Sequence, residues 1–121
     1  MLPYERFAAW QLAHEVVLRT YRVTASFPSH ERYGLSMQAR RAAFSIAANI
    51  AEGSARRGDR EFRRFLDIAL GSLSELAYCL RLAHDLGYLS DEDLATLEEL
   101  RAEAGRTTWG LYRSIRDHAA K

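Results

Sequence analysis

Apolar residues recur along this chain at alternating spacings of three and four, the rhythm that places side chains on one face of a helix. The clearest run is Phe62, Leu66, Ala69, Leu73, Leu76, Leu80 and Ala83. It predicts a helix from Asp59 to Leu86, with Asp59 as its N-terminal cap and Gly87 as the left-handed residue beyond its end. An earlier run, Trp10, Ala13, Val17, Thr20 and Thr24, predicts a helix from Phe7 to Ser26. Phe27-Pro28 closes it, because proline disfavours helical geometry in the residue before it. Ala39, Ala43, Ile46, Ile50 and Gly53 predict a helix from Leu35 to Ser54. A fourth helix, over 90–119, opens on Ser90 as N-cap, with Asp93 in the capping-box position and Leu89 and Leu94 as a hydrophobic staple. Its seam is Leu94, Leu97, Ala104, Thr108, Leu111 and Ile115, interrupted by Arg101. No strand pattern occurs. Four helices with short connections predict an all-α, antiparallel up-down-up-down four-helix bundle, a single domain over residues 1–121.

The helix over 35–54 carries more apolar surface than one core needs. Phe44, Ala47 and Ala51 flank its seam, so apolar positions cover close to half of its circumference. A buried stripe of about 100° suffices for packing against a single core. The excess predicts a second contact on this helix, and hence self-association.

Composition narrows the class. The chain is 48% hydrophobic and 27% charged, the balance of a globular domain able to bury a core without staples. Cys79 is the only cysteine, so no intramolecular disulfide forms and a reducing compartment is expected. The start, MLPYERFAAW, lacks the charged and apolar regions of a signal peptide. The longest uncharged stretch, Ala42 to Ala51, is about half a membrane span. A cytoplasmic protein with no membrane association is expected.

The formal net charge is only +1, but the charges are segregated. Arg32 to Arg64 is strongly basic, and Asp85 to Glu103 is strongly acidic. Arg56, Arg57, Arg60, Arg63 and Arg64 cluster around one turn, with Arg40 and Arg41 earlier in the chain. Arginine grips phosphate bidentately, and the N-terminus of the following helix adds a favourable dipole. The same cluster fits a solvated face or a subunit contact equally. Gln38, Arg41, Ser45, Asn49, Glu52 and Arg56 share one helix face; Arg60, Arg64, Asp67, Gly71 and Glu75 form a comparable stripe on the next. Ser45, Asn49, Glu52 and Asp67 are read as a structural polar network between helices or subunits, satisfied by arginines.

No catalytic chemistry emerges. His14, His30, His84 and His118 form no pair at metal-ligand spacing, and no nucleophile stands beside a base. No glycine-rich phosphate loop occurs. Cofactors, metals, small-molecule substrates and catalytic residues are therefore not expected. Trp109 and Tyr112 lie off the main seam of their helix, on a stripe with Gly105, and suit either an interface or the edge of the bundle.

Three segments carry a family resemblance: Phe27-Pro28 with Glu31 to Leu35; Gln38 with Arg40 to Ala43 and Ser45 to Gly53; and Glu61-Phe62 with Arg64 to Ser72. Trp10, His14 and Gly87-Tyr88 fit as well. The chain resembles the bacterial four-helix-bundle proteins encoded in intervening sequences of 23S ribosomal RNA genes. The resemblance implies a ring-shaped homopentamer. It also implies kinship with the accessory protein of diversity-generating retroelements, which binds nucleic acid through a basic surface. Carried over, it makes Arg40, Arg41, Arg56, Arg57, Arg60, Arg63 and Arg64 candidate RNA or DNA contacts, and Asn49, Glu52 and Asp67 part of the structural signature. The expected function is non-enzymatic nucleic-acid binding by an oligomer. The alternative is a protein–protein adaptor, or a structural oligomer without a nucleic-acid role, in which the arginines meet acids such as Asp91, Glu92, Glu98 and Glu99.

Overall fold

The computed structural model describes residues 2–119, with side chains through Ile115; the side chain of His118, and Lys121, lie outside the described residues. Four helices make up the fold: α1 (Ala8–Thr24), α2 (Leu35–Ser54), α3 (Asp59–Asp85) and α4 (Asp91–Ala119). Short 3-10 turns at Pro3–Arg6 and Ser29–Glu31 precede α1 and α2. No strand occurs among the described residues. Each helix packs against two others, α1 with α2, α2 with α3, α3 with α4, and α4 with α1, and among the described residues no close backbone approach joins the diagonal pairs. The result is a four-helix bundle.

Contacts follow a hairpin order along consecutive helices. Late residues of α2 meet early residues of α3, as Gly53 does Phe65. Ser45, nearer the middle of α2, bonds Ser72 of α3. Likewise His84 meets Asp91 across the α3–α4 turn, and Leu73 meets Arg101 further along. This order supports the up-down-up-down course.

The α3 seam is buried from Leu66 through Ala83, with Phe62 packed against its end. Ala39, Ala43, Ile46, Ile50 and Gly53 of α2 are buried as well. In α1 the buried line is Ala9, Ala13, Val16, Thr20 and Thr24; the expected Trp10 and Val17 sit one position aside and half-buried. Arg101, the break in the α4 seam, bends back to Glu98 and donates from Nη1 to the Leu73 carbonyl at 3.4 Å. Its charge thereby stays at the rim while the helix packs.

Helix ends follow local chemistry. Ser90 caps α4, its hydroxyl accepting from the Asp93 amide at 3.1 Å. Gly87 has φ 83°, and the bonds Tyr88 N–H to Ala83 O (2.8 Å) and Gly87 N–H to His84 O (2.9 Å) make a Schellman ending for α3. Two expectations need correction. Asp59 does not cap α3: Gly58, at φ 86°, occupies that place without a side-chain cap, and Asp59 begins the helix. Helix α1 ends at Thr24, two residues before the expected Ser26. Thr24 turns its hydroxyl back onto the Thr20 carbonyl at 2.7 Å, the local bonding with which threonine bends or ends helices.

Two core hydroxyls, Thr20 Oγ1 in α1 and Thr108 Oγ1 in α4, are buried without a hydrogen-bond partner. A buried orphan hydroxyl costs roughly 1–3 kcal/mol. Thr108→Val keeps the shape and removes the orphan, so it is expected to stabilise the fold by about 1 kcal/mol. Urea denaturation checks this.

One end of the bundle is held by a polar clasp. Glu31 accepts from the Leu35 amide at 3.0 Å and from the Tyr88 hydroxyl at 3.0 Å. Tyr88 O lies 3.2 Å from His30 Nε2, and its ring packs on Phe27. The Leu35 amide first, then Tyr88, holds the Glu31 carboxyl below its ordinary value of 4.5. A carboxylate with a lowered folded pKa stabilises above the unfolded pKa and stops doing so as pH falls through the folded one. The stability gap between wild type and Glu31→Gln, present at neutral pH, is therefore expected to close on acidification below 4.5. Urea titrations at neutral and acidic pH read it.

Candidate nucleic-acid interface

The seven candidate arginines form two groups. Arg41 lies roughly 20 Å along the α2 axis from Ser54, the last residue of α2, so Arg40 and Arg41 stand apart from the five at the α2–α3 turn. Arg40 is committed to packing: its Nε donates to Thr24 Oγ1 at 2.8 Å, and its guanidinium lies 4.8 Å from the Tyr21 ring centre. Arg41 is exposed and borders a small polar cleft of about 160 Å³ with Gln38, Ser45 and Glu75.

At the turn the structure sorts the arginines further. Arg56 pairs with Glu52 at 2.5 Å and Arg64 with Glu61 at 3.3 Å. Both guanidiniums also flank Phe65, at 5.1 and 4.6 Å from its ring centre. Arg64 holds the Glu61 carboxyl below its ordinary value. Arg57, Arg60 and Arg63 take part in no ion pair among the described residues. Arg57 and Arg60 are exposed and Arg63 half-exposed. Arg57, Arg60 and Arg63 flank or occupy the first turns of α3, which also carry Asp59 and Glu61 and whose first backbone N–H groups have no intrahelical partner. Three unpaired guanidiniums beside a helix N-terminus suit an anionic ligand.

The expected polar network is brought together only in part. Asn49 Nδ2 donates to the Ser45 carbonyl at 2.7 Å and to Ser45 Oγ at 3.0 Å. Ser72 of α3, which the sequence did not single out for this role, donates to Ser45 Oγ at 2.7 Å. Glu52 is not joined to that set and serves Arg56 instead. Asp67 is exposed and makes no hydrogen bond among the described residues.

These contacts give the resemblance-bearing segments a physical meaning. A Cβ on Gly53 would stand 2.8 Å from Phe65 Cβ and 3.0 Å from Phe62 Cδ1. The motif ending at Gly53 and the one from Arg64 to Ser72 thus meet along the α2–α3 contact. The 23S rRNA-intervening sequence protein family matches residues 5–110. The chain belongs to that family. The fold is also that of a protein of unknown function from the S23 ribosomal protein family of Bacteroides thetaiotaomicron. It is 22% identical, with a TM-score of 0.81 over 87% of this chain and 95% of that one. No curated protein matches.

Two further features of this family member, each signalled in part by the sequence, bear on the site. An apolar groove of about 670 Å³ runs between α1 and α2, lined by Leu2, Trp10, Val17, Phe44, Ala47 and Ala51 among others. Phe44 stands 61% exposed beside it. The excess apolar surface of α2 pointed to it; the contribution of the first 3-10 turn did not show in the sequence. The second feature is charge polarity. Arg6, Arg57, Arg60 and Arg63 gather where α1 begins and α2 meets α3, whereas Asp85, Asp91, Glu92 and Asp93 gather at the α3–α4 turn. Only the hairpin order of contacts sets these groups at opposite ends.

Among the described residues, no cluster of three or more His, Cys, Asp or Glu side chains is arranged to hold a metal ion. No helix among them is long and apolar enough to cross a membrane.

Proposed function

We propose that this protein is a non-enzymatic, homo-oligomeric bundle that binds RNA or DNA by its phosphate backbone, without cofactor, through the arginines of the α2–α3 turn. The observation that carries the reading is that Arg57, Arg60 and Arg63 make no ion pair among the described residues and are accessible, whereas Arg56 and Arg64 share their charge with Glu52 and Glu61. Backbone contacts of this kind give sequence-tolerant affinity that falls steeply with salt. Self-association multiplies a modest basic patch, since linked sites bind with far higher avidity than single ones. We assign that self-association to the α1–α2 groove, occupied by a second copy of this chain. Exposed Phe44 with half-buried Ala48 and Ala51 offers apolar surface that the monomer leaves partly uncovered, and the family resemblance implies a ring of five.

The test is fluorescence anisotropy with RNA and DNA, single-stranded and duplex, at two salt concentrations, on protein whose mass has been fixed by light scattering. Salt-sensitive binding by an oligomer is the expected result. Absence of binding at low salt overturns the nucleic-acid reading and turns attention to protein partners. A monomeric mass overturns the groove assignment.

A further inference from the structure

We propose that α4 supplies a base-stacking platform, so that this protein prefers single-stranded to duplex nucleic acid. The inference rests on the nucleic-acid reading and adds the partner's class to it. Trp109 and Tyr112 stack with ring centres 5.4 Å apart and planes 9° from parallel. Trp109 remains 43% exposed despite its size. Arg106 and Arg113, both exposed, stand three residues before and four after Trp109, on the same face of the helix. Neither takes part in an ion pair among the described residues. Between Glu103 and Asp117 the sequence of α4 contains no acid. An exposed indole between two guanidiniums that make no ion pair among the described residues matches the chemistry of an unpaired base on a phosphate chain.

The platform adjoins the arginine turn. Leu73 of α3 meets α4 at Arg101 and at Gly105, where an added Cβ would lie 3.9 Å from Leu73 Cδ1. Trp109 and Tyr112 continue that edge of α4 at spacings of four and three. On α3, Leu70, Leu66 and Arg63 continue from Leu73 at spacings of three, four and three, toward the helix N-terminus. The opposite order of contacts carries Arg63 to the level of Tyr112 and Arg113. A single strand gripped by Arg57, Arg60 and Arg63 can thus lay successive bases against Tyr112 and Trp109. A duplex keeps its bases stacked inside and gains only the phosphate contacts.

The test compares a short labelled oligouridylate or oligothymidylate with a duplex of the same length. Trp109→Ala is expected to weaken single-strand binding about tenfold or more, leaving duplex binding and oligomer mass unchanged. Trp109→Phe is expected to retain most of the affinity. Measured against Trp109→Phe, the wild-type indole emission should show additional quenching by the single strand and not by the duplex. Unchanged single-strand affinity in Trp109→Ala, or no quenching, overturns the platform while leaving the phosphate-binding reading intact. Loss of the oligomer in both Trp109 variants overturns the platform and assigns the aromatic pair to a protein contact. Failure of wild type to bind any nucleic acid overturns both.

Discussion

Gly53→Ala is expected to destabilise the protein by about 1–3 kcal/mol, although alanine is the better helix former. At most positions inside a helix this exchange gains up to about 1 kcal/mol. Gly53 is buried at the last turn of α2, and its missing side chain is what lets α3 approach. The new Cβ would fall 2.8 Å from Phe65 Cβ, 3.0 Å from Phe62 Cδ1 and 3.4 Å from the Phe62 carbonyl. Phe65 Cβ is fixed to the α3 backbone and cannot swing away, so the helices must separate. Separation loosens Phe65, which is 6% exposed, and disturbs the Arg56 and Arg64 guanidiniums that flank it. Gly53→Val adds two more methyl groups to the same clash and is expected to cost about 3 kcal/mol or more. Gly71 is the control. It lies within α3, exposed, with nothing within 4 Å of an added Cβ, and Gly71→Ala is expected to stabilise by about 0.5–1 kcal/mol. Urea midpoints for the three variants read the contrast directly. Equal and positive effects at Gly53 and Gly71 would show that the close approach does not constrain the α2–α3 contact.

The same contrast shows what the chain's pattern reveals and what it withholds. The α3 seam is legible residue by residue because one unbroken rhythm feeds one buried face. The α1 seam is read one position off at Trp10 and Val17, since neighbouring stripes satisfy nearly the same spacing. There the first 3-10 turn settles the matter: Tyr4 packs edge-on against Trp10 with ring centres 4.9 Å apart, and His14 stacks on the same indole. Gly53 reads from sequence as a seam residue, but its role as a spacer requires knowing that Phe62 and Phe65 lie opposite. The candidate site is legible as composition only. The sequence sets five arginines at one turn and Arg40 and Arg41 earlier, but does not tell which of the five are paired. Spacing alone does not divide them: Glu52 pairs with Arg56 across one helical turn, yet Asp59 and Asp67, equally one turn from Arg63, make no ion pair with it. Aromatic stacking at Trp109 and Tyr112 depends on side-chain geometry that spacing permits without requiring.

The arginine division yields the largest functional effect. Replacing Arg57, Arg60 and Arg63 together with glutamine is expected to weaken nucleic-acid binding about a hundredfold at low salt, from roughly 1 kcal/mol per exposed guanidinium–phosphate contact. More tellingly, the slope of log affinity against log salt for a duplex should fall by about 3, one released counterion per lost contact. Arg56→Gln and Arg64→Gln are expected to do much less. Each of those side chains already shares its charge with a carboxylate, and removing it frees Glu52 or Glu61 to act as a local repulsive charge rather than removing a phosphate grip. Arg40→Gln tests the other group. It cuts the bond to Thr24 and the contact with Tyr21, so its effect should appear in the urea midpoint and not in the salt slope. Folding of the triple variant is not at risk from lost pairing, because none of its three residues takes part in an ion pair or side-chain hydrogen bond among the described residues; thermal melts verify this. A triple variant that binds with wild-type slope would place the phosphate contacts elsewhere, and Arg41 with the exposed arginines of α4 would then be the groups to change next.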